Sequence, residues 1–150
     1  MSKRLALVHT SATLVPVFQD LVNQFLGDKD LIVYNIVDDS LIKNTIERGQ
    51  LTPDTSRRVV DYVSSAEAAG ADYIMVTCSS IGSAVETADL LTKVPVLRVD
   101  QPMADQAVQM GTKIGVVATL STTLEPTADL VQRRAILARS EEHTSELQSL

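Results

Sequence analysis

A single cysteine, Cys78, stands between Thr77 and the pair Ser79-Ser80 at the end of the apolar run Tyr73-Ile-Met-Val76. A thiolate is a nucleophile and a base, and hydroxyls beside it can hold an anion. The run is bounded by Gly70 and Gly82 and reads as a buried strand of a parallel sheet. Its carboxyl end is therefore where an open α/β sheet places its ligands. Two further hydroxyl-rich turns have the same character. Thr10-Ser11 follows Leu5-Ala-Leu-Val8, and Thr119 to Thr123 follows Lys113-Ile-Gly-Val-Val-Ala118. Ser and Thr at such turns also serve as helix caps, and the two roles are compatible.

The elements that must position these groups alternate. Strands are expected at Leu5–Val8, Leu31–Val37, Tyr73–Val76, Val94–Val99 and Lys113–Thr119. Helical spacing recurs in Leu14–Leu26, Leu41–Arg48, Arg57–Ala69, Ser83–Leu91, Met103–Met110 and from Glu125-Pro126 to about Ala138. The pattern predicts an α/β, doubly wound, flavodoxin-like parallel sheet with right-handed crossovers.

Composition narrows the function. The chain has 150 residues, 45% hydrophobic and 21% charged, so one well-buried core is expected, and 3% aromatic content makes that core aliphatic. A net charge of -6 without a basic cluster argues against nucleic acid. No apolar run approaches the roughly 20 residues that span a bilayer. One cysteine permits no internal disulfide, and a cytoplasmic setting is expected. No glycine pattern of the dinucleotide or P-loop kind is present, and no cofactor is expected. Asp38-Asp39 reads as a cap and a solvated pair, not a metal site, because no ligand cluster accompanies it. His9 reads more readily as structural than as a substrate contact.

Leu5-Ala-Leu-Val-His-Thr10 also aligns with Ile114-Gly-Val-Val-Ala-Thr119, at an offset of about 109 residues, as though the fold began a second time. Residues 1–111 then form a first lobe and residues 112–138 the first strand and helix of an incomplete second one. An equivalent of Cys78 would fall near position 187. Residues 139–150, beginning Arg139-Ser-Glu-Glu-His143, lack a core-facing period and resemble a translated sequencing adapter, so they and His143 are set apart from the fold. Unpaired apolar surface on the partial lobe predicts instability or aggregation.

Three stretches carry a family resemblance: Val76-Thr-Cys-Ser-Ser80, Val99-Asp-Gln-Pro-Met-Ala104 and, most specifically, Lys113-Ile-Gly-Val-Val-Ala-Thr-Leu-Ser-Thr-Thr-Leu-Glu-Pro126. The chain resembles the aspartate/glutamate/hydantoin racemase superfamily over about Leu5 to Ala138. The resemblance implies a pseudo-symmetric two-lobe fold and cofactor-independent inversion of an amino-acid-like carboxylate, with one cysteine from each lobe acting on opposite faces of Cα. It implies Cys78 as acid/base and Thr10, Ser11, Ser79, Ser80, Thr119 and Thr122 as substrate contacts, in a protein that is commonly a homodimer. Gln101 stands where relatives often carry an acidic residue. A chain lacking the second lobe is expected to be a poor enzyme. Two other readings stay open: a single-cysteine decarboxylase or cis-trans isomerase of dicarboxylates from the same superfamily, and a non-catalytic module that binds small anions.

Overall fold

The computed structural model describes the backbone of residues 1–148 and the side chains of residues 1–142. Four strands, β1 (Lys3–His9), β2 (Leu31–Val37), β3 (Tyr73–Val76) and β4 (Val96–Arg98), form an all-parallel sheet in the order β2-β1-β3-β4. Six helices accompany them: α1 (Leu14–Leu26), α2 (Ser40–Arg48), α3 (Pro53–Ala68), α4 (Gly82–Leu91), α5 (Gln101–Met110) and α6 (Ser121–Gln148). The expected α/β sheet is therefore present.

The register explains the layering. Ala6 pairs with Tyr34 and Ile74, and Val8 with Ile36 and Val76, so these residues point to one face. That face is buried by Val59, Val63 and Ala66 of α3 and by Ala84, Val85 and Ala88 of α4, with Leu41 of α2 joining the same cluster. The helical residues recur three or four apart, which is what turns one stripe of a helix toward a sheet. Side chains alternate along a strand, so His9 faces the other side. There its ring meets Phe18 of α1 at a centroid distance of 5.5 Å. The chain thus winds helices onto both faces. Two turns between elements rely on left-handed glycines, Gly49 (φ 70°) after α2 and Gly70 (φ 91°) before β3, a region that side chains with a Cβ rarely enter.

Two expectations fail at the carboxyl-terminal end. Lys113–Thr119 forms no strand. A strand exists only where a neighbour supplies its ladder, and among the described residues none pairs with this segment. Its period-two pattern is still expressed: Ile114 and Val116 pack on a second, smaller cluster of Ala104, Leu130 and Val131, while Val117 is 97% exposed. The second correction concerns the following helix, which begins at Ser121, not at Glu125. Leu120 C=O accepts from the Thr123 and Leu124 amides (3.1 and 3.2 Å), so the hydroxyl run is the first turn of α6 and Pro126 lies inside the helix. The backbone set apart as a tail continues this helix to Gln148. The His143 side chain and residues 149–150 lie outside the described set.

Candidate active site

The strand order contains a topological switch point. From β1 the chain steps to β2 on one side and later returns to β3 on the other, which leaves a crevice beyond the carboxyl ends of β1 and β3, where ligands of such sheets bind. The ladder bond from Thr77 N to Val8 C=O (3.0 Å) extends the β1–β3 register past the Val8–Val76 pair. Thr10 directly follows β1, and Cys78 stands two residues past the end of β3. Thr10 is buried, and Ser11 is half-buried with its hydroxyl 2.8 Å from that of Thr13.

Cys78 is half-buried and extended (φ -135°, ψ 119°), and it packs against the main core. Its thiol has no hydrogen-bond partner among the described residues. The next three residues, Ser79–Ile81, form a 3-10 turn that runs directly into α4. Cys78 thus stands at the entry to a helix, where the partial positive charge of the free amides favours an anion.

Ser80 is buried and points to the start of α6. Its hydroxyl is 2.8 Å from that of Thr123 and 3.5 Å from that of Thr122. The turn after Cys78 and the first turn of α6 therefore meet through hydroxyls, although 42 and 43 residues separate them. Ser79 is half-buried and Thr119 is exposed. Thr122, with Ser83, Ser121 and Glu125, lines a cleft of about 280 Å3. Cys78 does not line that cleft. Nor does it line the larger hollows of about 360 Å3 beside Glu86, Arg98 and Arg133, and about 430 Å3 beside Met1–Arg4.

The family model for Asp/Glu/Hydantoin racemases matches residues 5–149. The chain belongs to this family. No curated protein matches it. The match covers the sheet, the cysteine turn and α6, including residues 139–149. No helix among the described residues is long and apolar enough to cross a membrane. In this racemase-family chain the two other polar groups singled out from sequence have structural partners. His9 is fully buried, with Nδ1 2.8 Å from Thr77 Oγ1 and Nε2 2.9 Å from the Asn35 side-chain oxygen. Asp38 accepts from the Ser40 amide (2.9 Å), the Ser40 hydroxyl (2.6 Å) and the Tyr62 hydroxyl, and pairs with Arg58. Asp39 is exposed and pairs with Lys43 one turn on. No group of three or more metal-ligating side chains occurs among the described residues.

Burial pushes the Asp38 carboxyl up, but the hydrogen bonds from Ser40 and Tyr62 and the Arg58 charge outweigh it and hold it below the usual 3.8. A carboxyl depressed on folding stabilises the fold above its unfolded value, and that contribution disappears as pH falls through the folded value. The acid limb of the stability curve below about pH 4 is thus expected to be shallower in Asp38→Asn. Urea unfolding between pH 2 and 5 measures it, and parallel limbs would exclude Asp38 as a contributor.

Residue types alone did not reveal a further network around the site. Arg98 is 2% exposed and donates to both carboxylate oxygens of Asp100 (2.7 and 2.8 Å) and to Glu86 (3.2 Å). Glu86 in turn receives two bonds of 3.0 Å from Arg133 of α6. The available signal was an arginine at the end of an apolar strand, followed two residues later by an aspartate.

Proposed function

We propose that this chain belongs to a cofactor-independent racemase or epimerase that transfers a proton at the carbon next to a carboxylate or a hydantoin carbonyl. The observation that carries this reading is the position of Cys78, at the carboxyl end of β3 beside the switch point and at the entry to α4, in a chain of the racemase family. As thiolate, Cys78 takes the Cα proton, and as thiol it returns one to the carbanion in the reverse direction. The hydroxyls of Thr10, Ser11, Ser79, Ser80, Thr119 and Thr122 are assigned to the substrate carboxylate or amino group. Hydroxyl donors aimed at the substrate would stabilise the negative charge that develops when the proton leaves. Inversion needs a second proton donor on the opposite face, and these 150 residues contain one cysteine. That donor is therefore something other than a second cysteine of this sequence. Residues 112–138 are assigned to the start of a second lobe from the match of Ile114–Thr119 to Leu5–Thr10.

The same count supports a second reading, decarboxylation or cis-trans isomerisation of a dicarboxylate with one cysteine. Incubation in D2O with aspartate, glutamate, hydantoins and short dicarboxylates, followed by NMR and mass spectrometry, separates the two. Racemisation incorporates one deuterium at Cα and scrambles the stereocentre. Decarboxylation releases CO2, and isomerisation changes the alkene geometry. Absence of exchange at Cα across the amino-acid and hydantoin substrates would overturn the first reading.

A further inference from the structure

We infer that Arg98 and Glu86 are positioning residues that set the Cys78–Gly82 turn against the first turn of α6. The inference rests on the reading that Cys78 carries the chemistry, and it starts from Gly82, the first residue of α4. The Arg98 guanidinium lies directly on Gly82: a Cβ added there would stand 2.3 Å from the guanidinium carbon and 2.3 Å from Nη2. A side chain at position 82 would have to push the guanidinium off the start of α4. The guanidinium is itself fixed from two sides. Asp100, on the same strand end, holds Nε and Nη2, and Glu86, one turn into α4, holds Nη1. The start of α4 thus rests on a buried plane whose position is set by β4 and by its own second turn.

Glu86 extends the arrangement to the other side of the site. Its carboxylate accepts from Arg98 through Oε2 and from Arg133 through both oxygens. Arg133 lies on α6, the helix whose first turn brings Thr122 and Thr123 to Ser80. One carboxylate therefore ties the support beneath the cysteine turn to the helix that supplies the facing hydroxyls. The planar fork of arginine matters here, because an ammonium at position 98 cannot hold Asp100 through two parallel bonds while lying flat on Gly82. A shift of the α4 entry moves the helix start relative to Cys78, and thiol reactivity follows the local field of such a helix start.

The test uses the full chain and its single cysteine, whose alkylation by iodoacetamide is followed from pH 5 to 10 in wild type, Glu86→Gln, Arg98→Lys and Asp129→Asn. Asp129 pairs with Arg133 but does not touch Arg98, so its variant is the control. Glu86→Gln and Arg98→Lys are expected to change the rate at fixed pH by threefold or more and to move the midpoint of the profile, whereas Asp129→Asn follows wild type. Glu86 is partly exposed, so Glu86→Gln is expected to unfold at nearly the wild-type urea concentration. If Arg98→Lys fails to fold, Glu86→Gln alone decides. A Glu86→Gln profile that superimposes on wild type overturns the inference. Because alkylation needs no substrate, failure of the racemase reading in D2O leaves this result independent.

Discussion

Replacing Arg98 with Leu is expected to destabilise the chain by about 3–5 kcal/mol, the range seen when one member of a buried ion pair is removed. The loss does not come from the attraction alone. Asp100 is 5% exposed and holds the guanidinium through both oxygens, so without it the carboxylate stays buried with its main donors gone. Glu86 loses one donor and keeps Arg133. Urea unfolding followed by circular dichroism gives the magnitude. The double variant Arg98→Leu/Asp100→Leu is expected to recover much of the loss, because removing both charges of a buried pair is often nearly neutral. A single-variant loss below about 1 kcal/mol would place the pair among surface ion pairs in energetic terms.

The second large effect is chemical. Cys78→Ser is expected to lower the rate of Cα deuterium exchange by about 10²–10⁴-fold, the usual contribution of one positioned acid/base. A serine hydroxyl fills nearly the same space but is a far weaker acid than a thiol, so it does not supply the thiolate that the step requires. The side chain is half-buried and unbonded, so the urea midpoint should stay close to wild type. The two readouts together separate lost chemistry from lost fold. Exchange within threefold of wild type would remove Cys78 from the reaction.

The sheet is legible in the sequence because its strands are short, mostly apolar runs bounded by polar or glycine-containing turns, and such runs need no knowledge of their neighbours to be recognised. Lys113–Thr119 has the same local pattern and the opposite outcome. Pairing is a property of two segments, and the alternation in Ile114, Val116 and Val117 records only which side chains turn inward. The start of α6 was misplaced for a local reason: Ser121-Thr-Thr reads as a turn and Pro126 as a first helical residue, whereas the proline sits inside the helix. In the candidate site, grouping Ser80 with Thr122 came from their chemistry and the family resemblance. Thr123 comes closer to Ser80, but nothing in its residue type distinguishes it from Thr122 beside it. The Arg98–Glu86–Arg133 chain spans 12 and 47 residues of sequence separation, and isolated charges at such distances carry no local signature. The capping role of Asp38 is local and legible, whereas its partners Arg58 and Tyr62 lie 20 and 24 residues away on α3.

The two hydrophobic clusters do not merge: one lies between the sheet and α2–α4, the other between α5, α6 and the extended segment before α6. Regions with fewer buried apolar contacts open locally at lower free energy than a large core. The Ser80–Thr123 contact and the Glu86–Arg133 pair both cross the seam between them. The hydroxyls that meet beside the cysteine turn are therefore anchored in two different cores, so the alignment of Ser80 with Thr123 depends on packing outside the cluster that holds the sheet.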